Sequence, residues 1–223
     1  MCGRYTLSKV DGPALAARFA LSEPPIEETL GRCNICPTET IAVVVDGPRA
    51  EALAWGLAPW RAKGPPLINA RCETAARRFN GRTRCLVLAD GWYEWLREER
   101  KGGQRIPFRY TVDGGEPFAF AGITDGAGAA ILTTSANAVC APIHDRMPCV
   151  LPDPDAEAAW LSGDVAPEEA AQLLGPLPSE RVSVAPANPA VNKAGVEGFE
   201  LLTAPDGSGG AALPEQLLLG ESQ

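Results

Sequence analysis

Short apolar runs bounded by Gly, Pro and Asp dominate the first two thirds of the chain, at residues 41–45, 51–55, 85–89, 106–112, 118–123 and 130–134. Their length, their β-branched and aromatic content and their turn-forming borders predict strands. Helical spacing is rarer. Asp11 followed by Pro13 predicts a capped helix in which Leu15, Ala16 and Phe19 share an apolar face. Asp153-Pro154 opens a second helix that runs through Trp160, Pro167-Glu168-Glu169 a third through Leu174, and residues 74–79 form a short one. Many strands at uneven spacing with scattered helices predict an α+β fold, a single mixed and mainly antiparallel β domain with a few peripheral helices. No internal repeat is visible. From Thr203 the chain turns to Ala-Pro-Asp-Gly-Ser-Gly-Gly-Ala-Ala and an acidic end, so residues 1–202 are expected to form the domain and 203–223 a flexible tail.

Composition narrows the class. With 223 residues, 45% apolar and 22% charged, the chain has enough hydrophobic surface for a sizeable core and lies far from the disordered corner. No run approaches the roughly 18 apolar residues that cross a bilayer, and the first residues lack an apolar signal segment, so a cytoplasmic protein without membrane association is expected. Seven cysteines then read as thiols, because reducing cytosol disfavours disulfides and an odd number cannot fully pair. A single histidine supplies zinc chemistry poorly, and Cys33-Asn34-Ile35-Cys36 is a lone CxxC without a second ligand pair, so no metal site is expected. Neither GxGxxG nor GxxxxGK[ST] occurs, which leaves nucleotide cofactors without a motif, and no cofactor is expected.

The net charge is −8, from 28 acidic and 20 basic residues, but its distribution matters more. Residues 49–109 hold 13 basic against 6 acidic side chains; the remainder holds 7 against 22. Within that basic segment Arg71, Arg77, Arg78, Arg82 and Arg84 fall close together, with Trp55, Trp60, Trp92 and Trp95 on either side. Basic and aromatic side chains interleaved in this way suit a groove that neutralises phosphates and stacks bases. A solvated basic face beside core tryptophans has the same composition.

Cys2 carries the most chemistry. If Met1 is removed, which a small second side chain favours, Cys2 presents an α-amine and a β-thiol on adjacent carbons. An α-amine titrates near pH 7.7 to 8.0, so a fraction is neutral and nucleophilic at physiological pH. Such an amine forms a Schiff base with an aldehyde, and the thiol can then close on the imine carbon to give a five-membered thiazolidine.

Five motifs in order give this chemistry a setting: Cys2-Gly3-Arg4-Tyr5; Trp55-Gly56-Leu57 with Pro59-Trp60; Asn69-Ala70-Arg71-Cys72-Glu73-Thr74; Gly91-Trp92-Tyr93-Glu94-Trp95; and Pro142-Ile143-His144-Asp145-Arg146-Met147-Pro148. Together they resemble the SOS response-associated peptidase (SRAP) family, whose members crosslink to abasic sites in single-stranded DNA. The resemblance runs from Cys2 to about Leu202 and closes in Val182-Ser183 and Val191-Asn192. Cys33 and Cys36 depart from the family's usual Tyr-Asn-Ile-Ala-Pro.

The resemblance implies SRAP-like, barrel-like sheets and a DNA-damage function in which Cys2 captures the ring-opened aldehyde of an abasic site. It also implies thiol peptidase-like self-processing at Met1 and a possible lyase activity. Glu94, a carboxylate among aromatics, is assigned the proton shuttle, because partial desolvation raises a carboxyl pKa toward neutrality. Asn69 is assigned to orient the Cys2 amine or the sugar hydroxyl, and His144 to exchange a proton with the sugar oxygen. Arg4, Arg71 and Arg146 match family positions that hold phosphates, with Thr133 or Thr134 adding a hydroxyl. Trp60 and Trp95 would stack beside the lesion, with Pro37 as a neighbour. The expected partner is single-stranded DNA containing abasic sites, bound by a monomeric bacterial protein that joins the nucleoid when on DNA. The alternative is an N-terminal-nucleophile hydrolase or glutamine amidotransferase, in which the Cys2 thiolate attacks an amide; a third class is a non-catalytic single-strand-binding module.

Overall fold

The computed structural model describes residues 2–59, 64–78, 82–97 and 105–205, without the side chains of residues 76–78, 97, 167 and 168. The predicted strands form where the apolar runs lie: β3 (Thr40–Val44), β4 (Ala50–Trp55), β6 (Thr83–Ala89), β8 (Arg105–Val112), β9 (Phe118–Thr124) and β10 (Gly128–Ser135). Six further strands are β1 (Tyr5–Leu7), β2 (Arg32–Ile35), β5 (Asn69–Arg71), β7 (Gly91–Arg97), β11 (Arg146–Pro148) and β12 (Val182–Pro186). Three of these, β1, β5 and β11, are three residues long and carry no readable period. β7 mixes Glu94 and Arg97 with aromatics, which hides its alternation.

Two sheets result. One runs β12-β8-β7-β1-β2. In the other, β10-β4-β3-β6-β9 are neighbours in turn and β9 pairs again with β10, so the path closes on itself as a small barrel. All pairings are antiparallel except those of β10 with β4 and β5. Closure explains why β9 is buried along its whole length and reads as an unbroken apolar run: neither face meets water. Gly128 marks the tightest approach in the barrel, since a Cβ there would lie 2.1 Å from the Gly56 carbonyl oxygen.

Aromatic side chains join the sheets. The Tyr5 ring meets Trp55 edge-on at 5.1 Å, and Trp92 stacks on Tyr110 at 5.1 Å while its edge approaches Phe118 and Phe120. Trp55 and Trp92 are fully buried, so these two of the basic segment's tryptophans belong to the core and not to a base-stacking groove.

The helices are peripheral, as expected. Asp11 caps α1 (Gly12–Arg18) by accepting from the Ala14 N–H at 2.9 Å. The helix predicted over residues 74–79 is α2 (Cys72–Arg78). Asp153 caps α3 (Pro154–Leu161) through the Ala156 N–H at 2.8 Å, and Trp160 of α3 donates to the Cys85 carbonyl at 3.0 Å. The third predicted helix is shorter than its pattern, with α4 (Pro167–Ala170) giving way to a 3₁₀ turn at Ala171–Leu173. Further 3₁₀ turns at Pro189–Asn192 and Phe199–Leu202 lie beside the open sheet, and residues 206–223 of the expected tail lie outside the described residues.

Candidate functional site

The N-terminus enters the open sheet beside β7. Tyr5 pairs with Trp92 and the Tyr93 N–H donates to the Arg4 carbonyl at 3.0 Å, a register that brings Gly3 level with Glu94. Cys2 is fully buried. Its carbonyl accepts a 2.6 Å hydrogen bond from Asn69 Nδ2, and its thiol donates to the Arg4 carbonyl at 3.6 Å. Burial, with Glu94 nearby, pushes the Cys2 thiol well above its ordinary range, so the sulfur is held protonated. Asn69 stands at the start of β5, which β10 holds in parallel register, and its buried Oδ1 has no hydrogen-bond partner among the described residues. An acceptor beside the Cys2 main chain is thereby open to an incoming donor.

Glu94 is 5% exposed, on a strand whose neighbours Tyr93 and Trp92 are buried. Desolvation lifts its carboxyl to about 7, the range in which one group both accepts and releases protons at physiological pH. A cleft of about 800 Å³ opens here, with Gly3, Arg4, Glu94, Trp95, His144 and Asn192 in its wall. His144 is placed by a turn in which the Arg146 N–H donates to Nδ1 at 3.0 Å, so the neutral ring carries its proton on Nε2. Asp145 Oδ1 is also 3.0 Å from Nδ1, a contact that becomes an ion pair only when the ring is protonated.

The predicted arginines differ in their engagements. Arg4 donates to Asn34 Oδ1 at 2.8 Å and to the Val191 carbonyl at 3.1 Å, with its guanidinium 6.0 Å from the Trp95 ring centroid. Arg146 forks onto Glu73 at 2.5 and 3.0 Å and donates to the Thr133 carbonyl at 2.5 Å. Arg71 is exposed, two residues along β5 from Asn69. Thr133 and Thr134 are buried on β10; Pro37 is half-buried between β2 and β3 and does not line the cleft. Trp95 forms part of the cleft wall and donates Nε1 to Asn192 Oδ1 at 2.5 Å. Trp60 lies outside the described residues.

Among the described residues, the rest of the basic segment does not form one groove. Arg82 pairs with Asp125 at 2.7 Å, Arg109 with Asp90 at 3.4 Å, and Arg84 donates to the Ser162 and Val165 carbonyls beside Trp160. The side chains of Arg77 and Arg78 are outside the described set. Sequence reasoning missed Asn34, Glu73 and Asn192 as the groups that hold Arg4, Arg146 and Trp95. Glu73 and Asn192 lie within motifs already singled out, which was the available signal; Asn34 sits inside the CxxC, where attention falls on sulfur. Cys33 and Cys36 are both buried.

Comparison with known proteins follows the same lines. A family model described as SOS response associated peptidase (SRAP) matches residues 1–194. The protein named abasic site processing protein YedK of Escherichia coli K12 is 33% identical, over 91% of this chain and 99% of its own length. The similarly named YoaM of Bacillus subtilis is 34% identical over 92% and 98%. Abasic site processing protein HMCES of Xenopus tropicalis is 28% identical over 63% of this chain and 53% of its length. Among solved structures, a protein of Bacteroides thetaiotaomicron shares the fold with a TM-score of 0.79 at 21% identity, over 92% of this chain and all of that one.

Proposed function

The chain belongs to the SOS response-associated peptidase family, and from that premise we propose that it captures abasic sites in single-stranded DNA through Cys2, shielding the lesion. The reading is carried by one observation, a buried carboxyl with a pKa near 7 beside a main chain pinned by Asn69 at Cys2.

Removal of Met1, by self-processing or otherwise, frees the Cys2 amine. The amine adds to the aldehyde carbon of the ring-opened sugar. Glu94 relays the two amine protons in turn to the former carbonyl oxygen, the first giving the carbinolamine and the second letting that oxygen depart as water and leave an imine. The thiol then adds across the C=N bond: sulfur bonds to carbon, the thiol proton moves by way of Glu94 to nitrogen, and a thiazolidine closes. The raised thiol pKa gives this last step a need for a base, and Glu94 is the titrating group at hand. His144, its proton on Nε2, is assigned to the sugar oxygen during ring opening, and Asn69 Oδ1 to the amine or a sugar hydroxyl.

Arg4 and Arg71 are assigned to phosphates on either side of the lesion, with Arg146 and the Thr133 and Thr134 hydroxyls beyond β5. Trp95 is assigned to stack on a base flanking the lesion, with Trp60 and Pro37 assigned to the same task by the family pattern. A monomer working in the cytoplasm, with residues 1–202 as the functional domain, suffices for this chemistry. The reverse of the same steps would release the abasic site with its strand intact, whereas lyase activity would need the imine to eliminate a phosphate from the sugar.

The test is incubation with single-stranded DNA carrying one abasic site, followed by denaturing electrophoresis. A one-to-one covalent species is expected, absent from Cys2→Ala and from DNA without the lesion. An adduct of undiminished yield in Cys2→Ala overturns the reading.

A further inference from the structure

The cleft beside the N-terminus is roomy and cationic. Its volume of about 800 Å³ lies in the range of about 300–1,000 Å³ that small-molecule sites occupy. Among its described wall residues, Arg4 and Arg105 stand against a single carboxyl, Glu94, which is half-protonated near pH 7. Arg105 opens β8; its carbonyl accepts from Asn192 Nδ2 at 3.2 Å, and the residue is exposed and pairs with no carboxylate among the described residues. Arg4 keeps a buried Nε donor without a hydrogen-bond partner among the described residues, although Asn34 and Val191 fix its Nη1. A chain of net charge −8 thus carries a positive hollow beside its reacting end. We propose that this cleft also captures free phosphorylated aldehydes of sugar size as thiazolidines on Cys2, with Arg105 and Arg4 holding the phosphate.

The chemistry is that proposed above for the abasic sugar, and depends on it. Cys2, Glu94, His144 and Asn69 are assigned to the aldehyde, the amine and the sugar oxygens, and none of them to a base. An aldehyde with no DNA around it therefore presents every group that the reaction needs. The carbonyl carbon gains one bond to nitrogen and one to sulfur; its oxygen leaves as water with both amine protons, and the thiol proton ends on nitrogen. Nothing is oxidised or reduced.

A free sugar lacks the flanking phosphates that seat a strand, and one phosphate on Arg105 and Arg4 replaces that anchor with charge-assisted hydrogen bonds. 2-Deoxyribose 5-phosphate meets these terms closely, since its phosphate bars the six-membered ring and leaves the five-membered hemiacetal of an abasic site. Once captured, it occupies the amine and thiol that the lesion would use, so such compounds compete with damaged DNA.

Intact-mass spectrometry of the Met1-free protein with 2-deoxyribose 5-phosphate is expected to show the gain of one sugar phosphate less one water, mapped to Cys2 and absent from Cys2→Ala. The control is the 5-methyl ether of 2-deoxyribose, which keeps the five-membered ring and lacks the phosphate. At equal subsaturating concentration the phosphate is expected to react at least about tenfold faster than the ether. Arg105→Ala, at an exposed position, is expected to cut that ratio to below about threefold while the ether reacts as in wild type. Prior adduct formation should lower crosslinking of abasic single strands in proportion to the Cys2 occupied. Equal rates for the two sugars, a ratio unchanged in Arg105→Ala, or an adduct that survives in Cys2→Ala overturns the proposal. Capture of abasic DNA without reaction of the sugar phosphate also overturns it and leaves the proposed function standing; capture of the sugar phosphate without abasic DNA does the reverse. Reaction of neither removes both.

Discussion

Glu94 holds a charge-bearing group where water is nearly absent, and the same burial that suits proton transfer costs stability. Its folded pKa of about 7 lies above the ordinary carboxyl value of 4.5, so between these limits the folded state keeps a proton that the unfolded chain releases. Below pH 4.5 both states are protonated and nothing is lost; as pH rises toward 7 the loss grows to about 3 kcal/mol. Glu94→Gln is therefore expected to raise the melting temperature at pH 8 and to change it little at pH 4.5. The same variant should slow single-turnover crosslinking by about 10²- to 10⁴-fold. A variant no more stable at pH 8 than wild type would show that the carboxylate is solvated. Arg71, exposed and away from the buried groups, belongs to binding. Arg71→Ala is expected to weaken noncovalent single-strand affinity while the crosslinking rate at saturating DNA stays within about twofold of wild type. A collapsed rate at saturation would move Arg71 into the chemistry.

At the scale of elements, the site depends on how β1 is held against β7. Asp90, fully buried at the entry to β7, accepts from the Thr6 hydroxyl at 2.5 Å, the Ser8 N–H and hydroxyl at 2.7 Å each, and the Lys9 N–H at 3.0 Å. Arg109 of β8 supplies the countercharge at 3.4 Å. One carboxylate thus ties three consecutive parts of the sheet, and its removal strands buried donors. Asp90→Ala is expected to cost about 3–5 kcal/mol in urea unfolding and to lower crosslinking in proportion to the folded fraction. Gly91 is under a similar constraint, since a Cβ there would sit 2.8 Å from the Tyr110 carbonyl oxygen and 2.9 Å from Thr6 Oγ1. Full stability in Asp90→Ala would mean that the strand pairing alone fixes the N-terminus.

Over the whole molecule, the segment beyond β12 closes the site from the far end of the sequence. Asn34 Nδ2 donates to the Lys193 and Val196 carbonyls, Glu197 pairs with Arg32 at 2.8 Å and accepts from the Cys33 N–H, and Val191 receives Arg4. A chain ending after Pro186 loses all of these partners and Asn192 with them. It is expected to lose crosslinking and melt lower, whereas one ending after Pro205 should keep both; equal activity in the two would remove the closing segment from the site. The overall charge of −8 gives a further expectation: binding of undamaged single strands is weak and falls steeply between about 50 and 200 mM salt, measured by fluorescence anisotropy. Salt-insensitive binding would assign recognition to stacking alone.

What was legible along the chain rests on local chemistry. The apolar runs of β3, β4, β6, β8, β9 and β10, and the Asp-Pro and Asp-x-Pro starts of α3 and α1, act through neighbours a few residues away and were legible at once. The five ordered motifs likewise singled out the residues proposed for the chemistry, Cys2, Asn69, Glu94 and His144 among them. Tertiary structure alone decided what surrounds each one. Five tryptophans read alike in sequence, yet Trp55 and Trp92 lie in the core while Trp95 borders the cleft, because the fold assigns each strand face its solvent or its partner. Arginines in one basic run part company for the same reason, Arg84 against α3, Arg109 on Asp90, and Arg71 in solvent. The contacts at the proposed site join distant parts of the chain: Asn69 reaches Cys2 over 67 positions, and Arg4 reaches Val191 over 187. No periodicity or spacing encodes such contacts, since burial and hydrogen bonding exist only once distant segments have been brought together.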